Sequence, residues 1–525
     1  MKLVKLVCAG LVLFCCCDLS TKTTEHADSD FKSVEFSDVY LEPVYTDANR
    51  LDKITAGLDE IETIYKAHAQ KNHFPGFVYG LVVDDSLIFS GAVGTVNIAS
   101  QQPVTVESRF HIASMTKSFT AMAILKLRDE GKLSLLDEVS QYIPELTDLK
   151  YLTRDASPVN IENLLTMSSG FPEDNPWADR QLEDSDEELI SFLKDGISFS
   201  SIPSRKYEYS NLGYALLGLI VSRISGITYQ QYIIDHILKP LGMTDTHWEY
   251  SEVPVNELAH GYRWEDGKWK EEPMLHTGAF GAIGGLITSM SDFSKYVAFH
   301  LSAWPPRNEP EKGPLKRSSI REMHRPTFPR LSANARDAHD EPCPLMSGYG
   351  YGLRIQVDCH GRVRVGHSGG LPGFGSNYLF YPEYGFGIIS FSNRTYASAY
   401  SVNKKVIDLI FERTGIEPRE LPVSDILKER TEQVIRLIQT WDEALGEEIL
   451  AENFYLDFSR EIRMRDAREV LKAAGRITSI DPLTPMNQLR GTFVMHGEKG
   501  DIEVFFSLSP EKVPKVQALK FMLIE

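Results

Sequence analysis

A mixed α/β (α+β) fold, followed by a small C-terminal α+β domain, is what this sequence predicts. Three observations carry it. Residues 75–94 alternate as a hairpin, with arms at 77–83 and 87–89 and a turn at Asp84-Asp85. Residues 212–225 are strongly apolar, as a helix buried in a core would be. Residues 349–357, 363–366, 378–381 and 387–391 then read as consecutive strands. At 525 residues the chain is long enough for two or three domains, one with a large core.

The other elements follow in order. Residues 18–50 lack periodicity and read as a tether. Leu51, Ile54, Leu58, Ile61 and Ile64 recur at helical spacing and predict a helix over 51–70. A second helix starts at Ser114, runs through Phe119, Met122, Ile124, Leu125 and Leu127, and stops at Gly131. A short helix over 161–165 ends near Gly170. Ser291-Asp292 reads as the N-cap of a helix over 293–301. Residues 304–345 are rich in Pro, Arg and Glu and read as a long surface insertion. A closing helix spans 402–411. Pro418 and Pro422 mark a linker after 415. Residues 424–525 form the small domain, with helices over 426–445 and strands over 490–496, 502–508 and 516–523. Ser509-Pro510-Glu511-Lys512 is a turn there, since Pro514 stops any helix.

Composition excludes some functions. The net charge of −18 argues against a nucleic-acid partner and against electrostatic docking on anionic lipid. The acidic run 183–188 has no flanking histidine or cysteine, so it reads as a solvated loop rather than a metal site. No Rossmann fingerprint or internal repeat is present.

The chemistry lies in three pieces. Ser114 and Lys117 are three residues apart on one helical face, where the lysine can take the hydroxyl proton and make the serine a nucleophile. The spacing alone is weak, because Ser29/Lys32, Ser191/Lys194, Ser401/Lys404 and Ser509/Lys512 share it. Context separates Ser114: an extended stretch meets an apolar helix there, and the helix start offers backbone N–H groups for an oxyanion. Tyr209-Ser210-Asn211 precedes the buried helix. A phenol near a lysine can relay protons, and the Asn211 amide can hold the lysine and a substrate carbonyl. His367-Ser368-Gly369, extended by Gly370, ends an alternating strand that could pair with a peptide-like substrate. His276-Thr277-Gly278 is the competing third piece; it leads into a Gly/Ala-rich loop and reads as an ordinary loop.

In this order the motifs resemble those of the penicillin-binding-protein-like serine hydrolases, the superfamily of class C β-lactamases, DD-peptidases and related esterases. Residues 110–117, 164–170, 239–243 and 366–374 carry the likeness, which covers about 51–415. The resemblance implies a serine β-lactamase/transpeptidase-like fold: an antiparallel sheet flanked by helices, with a helical subdomain and the active site between. It implies Ser114 as acylated nucleophile, Lys117 as its base and Tyr209 as proton shuttle. Asn211, His367, Ser368, Gly369 and Gly370 would bind substrate, with the N–H groups of Ser114 and Gly370 as oxyanion hole. Activity is then expected to rise with pH as Lys117 and Tyr209 deprotonate. Members that act on β-lactams or carboxypeptidase substrates usually carry a lysine where His367 stands. A neutral histidine is a weaker anion anchor, so an ester or amide substrate of less anionic character is expected. No metal or cofactor is called for, and the partner is a small molecule or peptide. The last domain is similar to the small α+β domains appended to such hydrolases, for which an accessory role is expected.

Residues 1–17 read as an export signal: Lys2 and Lys5, an apolar stretch over 6–14, then Cys15-Cys16-Cys17. This resembles a lipoprotein signal, with Cys17 or Cys16 as lipid anchor and a periplasmic or cell-envelope location; an ordinary cleaved signal is the alternative. Export leaves Cys343 and Cys359, for which a disulfide and two free thiols fit the sequence equally.

Overall fold

The computed structural model describes residues 39–524. The expected export signal, the cysteines expected as lipid anchor and most of the expected tether lie outside the described residues. Residues 40–50, expected to be tether, are held in place: Val44 pairs with Glu420, and Arg50 lies over the Tyr45 ring.

A nine-stranded antiparallel sheet organises residues up to about 415. Its centre is built from both ends of the sequence. Gly76–Val83 pairs on one side with Ser86–Asn97 and on the other with Phe386–Ser392. Phe374–Tyr381, Val363–Leu371, Arg354–Val357, Leu345–Tyr349 and Thr327–Ser332 continue outward. Every residue of the three central strands is buried, because helices cover both faces. On one face Arg50–Thr55, Leu58–Lys71 and Tyr400–Thr414 pack Ile61, Tyr65, Val406 and Ile410 against Phe77, Tyr79 and Ile388. The other face joins the larger core, which runs through Lys117–Asp129, Asn211–Ser225 and Met290–Ser302.

Several boundaries moved for identifiable reasons. The helix expected over 51–70 breaks at Gly57 into two. The strand expected over 349–357 turns back on itself through Gly350 and Gly352, making two strands of one. The cap of Met290–Ser302 is Ser289, whose hydroxyl accepts from the Asp292 N–H, two residues before the expected one. The stretch 304–345 is not a featureless insertion: it supplies the helix Arg317–Met323 and the edge strand Thr327–Ser332. Cys343 and Cys359 are joined as a disulfide.

After 424 a separate core forms. Asp425–Thr440, Glu443–Ile449 and Arg460–Ala474 pack on a five-stranded sheet around Leu437, Phe493, Val504 and Phe506. Two short strands, Ile477–Ile480 and Thr484–Asn487, escaped the sequence reading because they are brief and lack alternation. Among the described residues no single helix is long and apolar enough to cross a membrane.

Gly352 ties the sheet to the helix Lys117–Asp129. Its φ is +73°, and a Cβ there would lie 2.7 Å from Ser118 Cα and 2.9 Å from the Lys117 carbonyl oxygen. Gly352→Ala is therefore expected to lower stability by about 1–3 kcal/mol, read as a reduced urea midpoint with an unchanged slope.

Candidate active site

Ser114 sits on a single 3₁₀ turn, Ala113–Thr116, that feeds directly into Lys117–Asp129. Ala113 takes a positive φ of 51°, so the backbone is bent just before the serine. The turn is wedged between two partners. On one side, Thr120 Oγ1 donates to the Ala282 carbonyl, and the Leu286 N–H donates to Thr116 Oγ1. On the other, Ser376 Oγ donates to the Ile112 carbonyl at 2.7 Å. The strand Val363–Leu371 closes against the same turn: a Cβ on Gly369 would lie 2.1 Å from the Ile112 oxygen. Only glycine permits that approach, which lays the Gly369-Gly370 backbone beside Ser114.

Lys117 is wholly buried. Its Nζ donates to Ser114 Oγ at 3.0 Å and to the Ile283 carbonyl at 2.8 Å. Burial pushes its pKa down to about 7, against the opposing pull of Asp179 and Asp174. Burial thus favours the free amine, the form able to accept the serine proton.

Tyr209 closes the other side of the lysine. Its ring centroid is 5.2 Å from Lys117 Nζ, and its phenol faces Ser114. The segment 164–170 holds it there. The Glu208 N–H donates to the Met167 carbonyl, the Ser210 N–H meets Met167 Sδ, and Tyr214 donates to the Leu165 carbonyl. Asp174 accepts from the N–H groups of Asn211 and Leu212 at 2.7 and 2.9 Å, which fixes the helix start behind the tyrosine. Burial raises the Tyr209 pKa far above its ordinary value, and the Ser114 hydrogen bond and Arg354 only partly oppose it. The phenol stays protonated at any working pH. The joint deprotonation of Lys117 and Tyr209 expected from sequence is therefore corrected: only the lysine titrates in range.

Asn211 also departs from expectation. It is fully buried, its Nδ2 donates to Asn175 Oδ1 at 2.8 Å, and its Oδ1 has no partner among the described residues. The lysine is held by the Ile283 carbonyl instead.

His367 is buried beside Tyr209, with ring centroids 6.2 Å apart. Its Nδ1 lies 2.6 Å from the Ser368 carbonyl and its Nε2 3.2 Å from the Tyr349 hydroxyl. This places the proton on Nδ1, where it donates to the carbonyl, while Nε2 accepts from the phenol. Burial first, then Arg354 and Lys117, hold its pKa well below the usual histidine range. The ring is uncharged, as the sequence argument required. Ser368 is exposed to the cleft, its Oγ accepting from Asn377 Nδ2 at 3.0 Å.

One cavity of about 440 Å³ gathers these groups: Ser114, Tyr209, His367, Ser368, Gly369 and Gly370 line it. Among the lining residues not foreseen, Asp179, Tyr396 and Arg354 carry polar groups that bear on the site. Asp179 accepts from the Tyr396 hydroxyl at 3.1 Å and faces Lys117. Tyr396 packs on Gly370, where a Cβ would lie 2.9 Å from its ring. Arg354 comes from the strand next to His367. A charged residue inside a strand pattern was the only signal for Arg354, and none existed for the other two. His276, set aside in the sequence, bonds Tyr250 and Glu249 near the surface, away from this cavity.

Fold and site together define a member of the serine hydrolase superfamily that includes penicillin-binding proteins and β-lactamases. A family profile described as Beta-lactamase matches residues 61–410, and the chain belongs to that family. It is 26% identical over 441 residues to Protein flp of Staphylococcus aureus (strain MW2), covering 81% of this chain and 79% of that protein. The octameric penicillin-binding protein homologue from Pyrococcus abyssi superposes with a TM-score of 0.59 at 21% identity, over 89% of this chain and 96% of that one. A class C beta-lactamase superposes with a TM-score of 0.53 at 21% identity, over 66% of this chain and 95% of its own. At these identities the structural likeness speaks to the fold alone.

With Tyr209 held protonated, Lys117 is the base whose titration should govern activity, which is expected to rise with pH to a plateau with a midpoint near 7, above the titration of the facing Asp179 at about 6. Lys117→Arg, which cannot lose its charge, should lower kcat by about 10²–10⁴-fold at every pH. A pH–rate profile of the wild type and of this variant checks both.

Proposed function

We propose that this protein is an exported serine hydrolase that forms an acyl-enzyme on Ser114 and cleaves an ester or an amide (peptide) bond. The observation that carries the reading is the 3.0 Å contact between Ser114 Oγ and a lysine whose burial keeps it partly neutral. Neutral Lys117 takes the Ser114 proton as Oγ attacks the substrate carbonyl. The N–H groups of Ser114 and Gly370 hold the oxyanion. Tyr209, always protonated, hands its proton to the leaving atom and recovers one from the Lys117 ammonium. Water then enters where the leaving group stood. It loses its proton to Lys117 through the same phenol, and Ser114 departs with a proton restored. Ser368 and the strand backbone beside it align the substrate. The basic and apolar start of the chain supports export, with lipid attachment at Cys17 or Cys16.

Intact-mass spectrometry after exposure to a fluorophosphonate and to a penicillin tests the reading. A fluorophosphonate adduct on Ser114, with no lasting penicillin adduct, is the expected result. Stable penicilloylation would mean a penicillin-binding protein with little turnover, and no adduct from either reagent would refute a nucleophilic serine. Ser114→Ala should abolish turnover of activated esters while its melting temperature stays close to that of the wild type.

A further inference from the structure

Tyr396 lines the cavity with a backbone that a tyrosine rarely adopts. Its φ is +49°, in the left-handed region that glycine and asparagine favour and an aromatic residue does not. The surroundings hold it there. Its N–H lies 3.1 Å from the Phe374 carbonyl and 3.3 Å from that of Leu371, at the turn between the strands Val363–Leu371 and Phe374–Tyr381. Before it, the Thr395 N–H donates to the Tyr262 carbonyl at 2.7 Å, and Thr395 Oγ1 accepts from the Gly373 N–H at 2.8 Å. After it, Ala397 packs so tightly on Gly375 that a Cβ there would lie 2.1 Å from the Ala397 oxygen. A strained residue clamped on both sides holds its side chain in a fixed direction, and strain of this kind concentrates where the side chain is used.

That side chain crosses the cleft. Its ring rests on Gly370 on the strand side, and its hydroxyl donates to Asp179 Oδ2 at 3.1 Å on the side of the 175–179 segment. Burial first, then the Asp179 carboxylate, push the phenol pKa up to about 12, so the hydroxyl keeps its proton and the bridge persists. Asp179 is buried, whereas Tyr396 is 47% exposed, so the ring is an outer wall of the cavity and not part of the core. The wall stands at one end. Tyr209 lies against His367 and Arg354, and Arg354 is in register with Gly366; Gly370 and Tyr396 lie further along the same strand. With the oxyanion at Gly370 and the leaving atom at Tyr209, a bound ester extends its leaving group toward Arg354 and its acyl chain toward Tyr396. The cavity of about 440 Å³ must hold both.

We propose that Tyr396, tied to Asp179, is the wall that limits the acyl group, so that the enzyme takes esters or amides of short acyl chains and accepts longer chains on the leaving-group side. The proposal rests on the serine-hydrolase reading above, because the acyl end is assigned from Tyr209 and Gly370. A methyl or ethyl group fits between the nucleophile and the ring; a longer chain must displace a ring that its own backbone and the Asp179 bond both hold.

Three esters test it: phenyl acetate, phenyl hexanoate and 4-butylphenyl acetate. The last two are isomers, with the same four carbons added on the acyl side or on the leaving-group side, so their apolar area is matched. The wild type should favour 4-butylphenyl acetate over phenyl hexanoate in kcat/KM. In Tyr396→Ala the ratio of phenyl hexanoate to phenyl acetate should rise about tenfold or more, while the ratio of 4-butylphenyl acetate to phenyl acetate moves by less than about threefold. Tyr396→Phe keeps the ring and loses its tether, and should fall between the wild type and Tyr396→Ala. An acyl ratio unchanged in Tyr396→Ala overturns the proposal, an equal rise in both ratios overturns the acyl assignment, and a Tyr396→Phe enzyme equal to the wild type refutes the tether. Calorimetric binding of acetanilide and hexananilide to Ser114→Ala, with and without Tyr396→Ala, separates the wall from the chemistry. A gain confined to hexananilide supports the wall even if no ester is turned over and the serine-hydrolase reading fails, and the absence of that gain refutes it.

Discussion

Lys117 is taken into the interior with no carboxylate in contact among the described residues, and most of the site is arranged around that fact. Its Nζ meets a hydroxyl and a carbonyl, while Asp179 and Asp174 act only at longer range. A buried ammonium of this kind costs several kcal/mol of solvation, and losing the proton is the cheapest relief. The two acids keep the relief incomplete, so the group is poised between its forms rather than driven fully neutral. The same burial acts in the opposite sense on Tyr209, holding its proton in place. One environment thus makes a base of the amine and an acid of the phenol.

Geometry enforces the environment through backbone contacts more than through side chains. The turn Gly281–Gly284 brings the Ile283 carbonyl to the lysine, and Gly352 lets the sheet touch the helix at Ser118. Gly369 lets the strand close on Ile112. The segment 164–170 and Asp174 then hold the tyrosine loop from behind. The strands Arg354–Val357, Val363–Leu371 and Phe374–Tyr381 make one wall of the site, and the Ser114 turn, the 175–179 segment and the Tyr209 loop close around it.

The sequence singled out Ser114, Lys117 and Tyr209, which the fold brings together, because each was marked by a particular side chain at a particular spacing. The strands near the site were legible for the same reason: alternation survives in residues 363–366 and 378–381. What it hid was of another kind. The Ile283 carbonyl could come from any residue, so no residue type announces it. Asp179 and Tyr396 lie far apart in sequence and meet only through the fold. Gly350 and Gly352, inside an apparently continuous strand, gave the only hint of the turn that splits it. Asn211 was misjudged because its motif names the residue but not the direction its amide takes; it turns toward Asn175.

The protonation of Lys117 can be observed directly. Lysine labelled with ¹³C at Cε, with Lys117→Arg used to assign the signal, reports the ammonium of the folded protein as pH is varied. A midpoint near 7 is the expected result, in line with burial opposed by two distant carboxylates. A midpoint near the ordinary lysine value of about 10.4 would contradict the account, because the amine would then be charged whenever the enzyme works.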